Sequence, residues 1–205
     1  MNLKDRIITE AGRLFIQQGV KGTSMDEIAT NLGISKRTIY QNFKDKEDLL
    51  LYYIRFLEKL HNDYLQEVSK NEETVVHIFL RSIDMHKELE FLNVKFIDDV
   101  DKYYLKAKKE LEEQRVRGVE SIRKFLKLGI EQEVIREQIN IEVVSYLLED
   151  NNRSFLNATR IANKSFTNWE LFFTSMINFI RGISTTKGIE IVDEFLEEYS
   201  SNKNA

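Results

Sequence analysis

Apolar residues recur along this chain at three- and four-residue steps, the period of a helix with one buried face. Leu3, Ile7, Ala11, Leu14 and Phe15 form the first stripe, and Gly19 is a stop signal after it. Ser24-Met25-Asp26-Glu27 has the form of a capping box, in which a serine hydroxyl and a glutamate carboxylate satisfy each other's free backbone amides. It opens a second helix with Ile28, Ala29 and Leu32 inward, ended by Gly33. Ser35 caps a third, with Ile39 and Phe43 inward, and Asp45 caps a fourth that runs through Leu49, Tyr53, Phe56, Leu60 and Tyr64. Past residue 70 the periodicity predicts helices near 73–87, 90–104, 105–129, 141–163 and 168–186. Gly188 follows the last of these, before a short helix at about 189–199.

The pattern predicts an all-α chain, and the absence of proline from its 205 residues agrees, since proline breaks helix interiors. The chain is long enough to bury a sizeable core, and 42% hydrophobic with 31% charged residues is a globular composition. No apolar run approaches the roughly 18 residues of a membrane helix. Met1 to Arg6 lack the apolar stretch of a signal peptide, so a cytoplasmic location and no membrane partner are expected. Without cysteine there is no disulfide framework and no thiolate metal site.

Charge is distributed unevenly. Residues 1–46 hold eight Lys/Arg against five Asp/Glu, a net of +3, while the remainder carries a net of −7. A basic head on an acidic body suits nucleic acid better than the overall −4 suggests. Residues 24–43 read as helix, glycine-containing turn, helix, a layout whose second helix enters the major groove of DNA. At about 100° per residue, Arg37 and Gln41 lie opposite Ile39 and Phe43 on a shared outer face. Arginine can fork onto guanine, and glutamine onto adenine. Thr38 and Tyr40 flank that face with hydroxyls suited to phosphates, and Lys36 sits in the first turn. Lys44 and Lys46 follow, the latter at a helix start where amides and dipole also attract phosphate.

Gly22-Thr23-Ser24-Met25-Asp26-Glu27-Ile28-Ala29, then Leu32-Gly33-Ile34-Ser35-Lys36-Arg37-Thr38-Ile39-Tyr40, closely resembles the TetR family of regulators. Phe43-Lys44-Asp45-Lys46-Glu47-Asp48-Leu49-Leu50 and the placing of Phe15 ahead of Gly19 extend the resemblance over about residues 3–60. It implies an N-terminal three-helix helix-turn-helix domain, 1–61, and a C-terminal helical ligand-binding and dimerisation domain, 62–205. Lys36, Arg37, Gln41 and Asn42 occupy positions of base readers; Asn42 departs from the aromatic or histidine often found there. Thr23 or Ser24, Tyr40 and Lys46 resemble phosphate contacts, and Ser35, Thr38 and Lys44 join that set. The last two long helices would pair with their copies as a four-helix dimer interface, for which Val144, Leu147, Leu148, Phe172, Phe173, Met176, Ile177 and Ile180 supply apolar surface.

The middle helices would enclose an inducer pocket, with Phe91, Phe96, Tyr103, Tyr104, Phe125 and Trp169 as candidate lining. Aromatics at helical spacing are more often the material of an ordinary core. An acidic body rich in aromatics favours an apolar or cationic inducer over a small anion. The expected function is a ligand-released repressor that binds a palindromic DNA operator as a homodimer. One rival is a DNA-binding structural factor of the same fold with no inducer; another is a helical carrier or enzyme whose N-terminal helices only support the fold. No cofactor, catalytic constellation or metal site is expected. His61, His77 and His86 form no close ligand pair, and Asp98, Asp99 and Asp101, like Glu110, Glu112 and Glu113, suit solvated helix faces.

Overall fold

The computed structural model describes residues 2–71, 73–88, 94–154 and 166–203. Ten helices are described: α1 Leu3–Gln18, α2 Met25–Leu32, α3 Lys36–Asn42, α4 Lys46–Val68, α5 Val75–Glu88, α6 Val94–Tyr103, α7 Leu105–Glu131, α8 Ile141–Ser154, α9 Asn168–Ile183 and α10 Thr186–Lys203. Among the described residues the extended pairing is a single isolated bridge, Ile135 with Ser184. The α8 expected to reach residue 163 is described only to Ser154, so its last turns lie outside the described residues.

The first four helices start and stop where local chemistry directs. Asn2, Ser24 and Ser35 each accept a backbone N–H three residues on, and Asp45 Oδ1 accepts from Asp48 N at 2.8 Å. Gly33 ends α2 with φ +65°, a left-handed conformation that glycine adopts without steric cost. The capping box at Ser24 is only half made. Ser24 Oγ accepts from Glu27 N, but the Glu27 carboxylate instead accepts from Gln18 Nε2 of α1 at 2.8 Å. A complete box stands at Thr167 and Glu170, at the start of α9.

The chain divides into two compact units. One joins Met1–Asn62 to Phe91–Arg115; the other joins Asp63–Glu90 to Val116–Ala205. In the first, Ile7, Ala11, Phe15, Ile28, Ile39, Phe43, Leu49 and Leu50 make one fully buried cluster, to which α6 adds Phe96 and Val100 and α7 adds Ala107. Each such large side chain contributes about 1.5–3 kcal/mol by leaving water. Polar staples tie α4 to α7: Arg55 Nε donates to Glu110 Oε2 at 2.7 Å, and Gln114 Nε2 to Glu58 Oε2 at 3.1 Å.

In the second unit α5 packs on α9 and α10, around Val76, Leu80, Phe172, Met176 and Ile180. The turn after α7 meets the turn after α9. Arg136 N donates to Ile183 O at 2.9 Å and Thr185 N to Val134 O at 3.1 Å. Gly188 does not follow α9 as a stop. It lies in the first turn of α10, pressed against the Val134 carbonyl so closely that a Cβ would collide with it.

Candidate nucleic-acid interface

Helix α3 is short, and its orientation follows from two apolar anchors. Ile39 is fully buried, and Phe43, just past its end, is nearly so. The Phe43 ring meets Tyr52 of α4 edge-on at 5.4 Å, and the Lys4 ammonium lies 3.7 Å from the Tyr52 ring centroid. With that side fixed, Arg37, Tyr40 and Gln41 face solvent, Tyr40 with 48% of its surface exposed. Arg37 and Gln41 have no hydrogen-bond or ion-pair partner among the described residues, so their donors and acceptors are available to a ligand.

The other expected base readers are engaged. Lys36 Nζ donates to Asp26 Oδ2 at 2.6 Å, which joins the first turn of α3 to the first turn of α2. That hydrogen bond raises the lysine pKa above its ordinary value, so the ammonium stays charged. Asn42 Nδ2 donates to Thr38 O at 2.8 Å along its own helix, which leaves its amide facing the backbone.

The expected phosphate contacts separate in the same way. Lys44 is exposed, and its side chain is unpaired among the described residues. Ser24 and Ser35 are exposed caps whose hydroxyls already accept a backbone amide. Thr38 Oγ1 lies 2.8 Å from Ser35 Oγ. Thr23 is almost wholly buried, and its hydroxyl donates to Gly19 O at 2.9 Å, so its side chain serves the turn between α1 and α2.

Lys46 departs furthest from expectation. Its ammonium folds back from the start of α4 onto that same turn, donating to Val20 O at 2.8 Å and Thr23 O at 2.7 Å, with Lys21 O at 3.4 Å. Burial pushes its pKa below the ordinary lysine value, a shift opposed by the Asp99 charge.

The apolar sets of the second unit also sort differently from the sequence pattern. Leu148, Phe172, Met176, Ile177 and Ile180, expected at a dimer face, are buried within one chain; Met176 is 1% exposed. Val144 and Phe173 are half-buried, and Phe173 stacks on Tyr199 at 4.8 Å. Of the eight, Leu147 is the exposed one, at 52%, and it shares an open face of α8 with Val143 and Tyr146, which the sequence reading missed. Their spacing of i, i+3 and i+4 was the available signal.

Of the six candidate pocket aromatics, three lie in the first unit and two in the second. Phe91 lies outside the described residues. Phe96 is core and Tyr104 packs on that core, while Tyr103 is exposed beneath the Lys21 ammonium at 4.3 Å, all in the first unit. In the second unit Phe125 packs on Phe79, and Trp169 lies against Phe172 and Phe173 and donates to the Tyr199 hydroxyl at 3.2 Å. Two clefts are described, both open to solvent. One of about 410 Å³ lies beside Lys21, Asp99 and Tyr103, and one of about 660 Å³ lies along α10. Among the described residues no group of three or more His, Asp or Glu is placed to hold a metal ion, and no helix is long and apolar enough to cross a membrane.

A three-helix head that presents an exposed arginine and glutamine on its third helix defines a helix-turn-helix DNA-binding protein. Residues 7–53 match the family described as bacterial regulatory proteins, tetR family. Over 191 residues the chain is 26% identical to the biofilm operon icaADBC HTH-type negative transcriptional regulator IcaR of Staphylococcus epidermidis, a match spanning 91% of this chain and 88% of that one. Its fold is shared by a putative transcriptional regulator from Saccharomonospora viridis in complex with choline, with 19% identity, TM-score 0.70 and coverage of 89% and 97%. It is shared too by the transcriptional regulator FadR of Bacillus subtilis in complex with stearoyl-CoA, with 17% identity, TM-score 0.66 and coverage of 87% and 98%.

Proposed function

We propose that this regulator is a repressor that binds a near-palindromic operator as a homodimer and is released by a small molecule. The observation that carries the DNA-reading part is the pair Arg37 and Gln41, which have no partner among the described residues on the outer face of α3 while Ile39 and Phe43 anchor its inner face. Arg37 reads guanine through O6 and N7, and Gln41 reads adenine through N6 and N7. Lys44 and the Tyr40 hydroxyl contact phosphates, which set register without reading sequence. Repression is supported by the similarity to IcaR, a negative regulator.

Dimerisation is supported by the open α8 face of Val143, Tyr146 and Leu147. A two-fold pair of heads then matches two half-sites. Release by a ligand is supported by the fold neighbours bound to choline and to stearoyl-CoA. An apolar or cationic ligand is favoured here by the aromatic content of the acidic body. Such a ligand must bind the non-binding state more tightly than the DNA-bound one.

The test is selection of duplexes from a random library on the full chain, followed by a metabolite screen for release of the selected duplex. Recovery of a two-fold symmetric sequence and a ligand that both stabilises the protein and lowers DNA affinity support the proposal. Ligands that stabilise the protein yet leave DNA affinity unchanged across the screen would favour a constitutive DNA-binding factor.

A further inference from the structure

The turn between α1 and α2, Gly19 to Thr23, is held by two side chains from distant parts of the chain. From the start of α4, the Lys46 ammonium donates to Val20 O and Thr23 O, with Lys21 O beside it. An ammonium has three protons, and two short hydrogen bonds with a longer third contact direct this one at the turn, so a phosphate would have to compete with those carbonyls for it. From α6, Asp99 Oδ2 accepts the Lys21 N–H at 2.7 Å. Gly19 makes that approach feasible. It stands at φ +87°, and a Cβ there would lie 2.7 Å from the same carboxylate oxygen. The Tyr104 ring, 5.9 Å from the ammonium, covers the group.

Thr23 immediately precedes Ser24, the cap of α2, and Lys46 stands four residues past the end of α3. The ammonium therefore ties the entrance of α2 to the exit of α3, the two elements of the DNA-binding motif. We propose that Lys46 and Asp99 are positioning residues of the DNA-binding face, which lock the α1–α2 turn so that α2 and α3 meet DNA in one register, and that Lys46 does this instead of gripping a phosphate. The inference rests on the DNA-binding reading above. It adds a role for a carboxylate that simple charge would disfavour near DNA.

Two measurements test it on the full chain. The first is affinity for the selected duplex as a function of salt, with thermal unfolding recorded to show that each variant is folded at the assay temperature. Lys46→Met is expected to lower affinity about tenfold while the slope of log affinity against log salt stays that of the wild type. Lys44→Met, the control for a true phosphate contact, is expected to make that slope less negative by about 0.9 per half-site. Asp99→Ala is expected to weaken binding, although removing an acidic charge alone would leave affinity equal or higher. Asp99→Asn removes the same charge but keeps an acceptor for the Lys21 N–H, and is expected to bind more tightly than Asp99→Ala.

The second measurement, hydrogen exchange without DNA, reads the latch itself. The Lys21 amide is expected to exchange faster in Asp99→Ala than in the wild type, while amides inside α1 are unaltered. A slope change of about 0.9 per half-site in Lys46→Met would overturn the proposal. So would Asp99→Ala binding as tightly as the wild type, or an unchanged Lys21 amide. Failure of the wild type to select any duplex would instead sink the DNA-binding reading, with the exchange result still deciding whether the latch exists.

Discussion

The Lys36 ammonium lies 2.6 Å from the Asp26 carboxylate, so the first turns of α3 and α2 are bridged by a surface ion pair. Both groups are largely exposed, so the pair adds little to stability. Its larger effect is on charge: it holds an acid beside the recognition helix and occupies a lysine that could otherwise reach DNA. Asp26→Asn is therefore expected to tighten binding to all duplexes and to steepen the salt slope, with base preference unaltered. Anisotropy titrations on selected and scrambled duplexes check this. Weaker binding of the variant would show that the bridge orients α3.

A second expectation concerns acid. The Glu10 carboxylate accepts from Arg13 at 2.6 Å and from Asn31 of α2 at 2.8 Å, and the Arg13 hydrogen bond leads in lowering its pKa below the ordinary 4.5. A depressed folded pKa gives stability that is present above the unfolded value and lost as pH falls through the folded one. The α1–α2 pairing should thus weaken only below about pH 4.5, and Glu10→Gln should remove part of that acid sensitivity. Urea midpoints of the wild type and variant from pH 7 downward would show it. Parallel curves would mean that Glu10 is not a source of the acid response.

The dimer face gives a third. Leu147→Glu places a charge on the open side of α8, and should produce folded monomers with weak operator binding. Met176→Glu places one in the core of the chain, where an unpaired charge costs about 3–5 kcal/mol, and should fail to fold. Sedimentation with far-ultraviolet dichroism separates the two. A Leu147→Glu protein that remains a dimer would move the interface elsewhere.

The contrast between these two residues shows what the sequence could tell. Helical periodicity marks Leu147 and Met176 alike as apolar positions. It does not say whether a neighbouring helix of the same chain or a second copy covers them. Caps are different, because they are local: Ser35 binding the Thr38 amide and Asp45 binding the Asp48 amide need nothing from afar. The outward setting of Arg37 and Gln41 followed from Ile39 on the same short helix and Phe43 just past its end.

Long-range choices were hidden. Glu27 turned to Gln18 rather than to its own cap, and Lys46 curled back to Val20 and Thr23 rather than outward. Phe96 joined the head core although it stands more than 40 residues beyond the helix-turn-helix. Nothing in the spacing of those residues announces such partners; only the packed chain brings them together.

Base reading by α3 is the central claim, and one measurement addresses it most directly: the full base-substitution profile of the selected duplex with wild type, Arg37→Ala and Gln41→Ala. Each replacement is expected to cost about 1–3 kcal/mol on the selected sequence. Each should also erase preference at its own base pair in each half-site, guanine for Arg37 and adenine for Gln41, with the other positions retained. Profiles identical to that of the wild type in both variants would contradict the account.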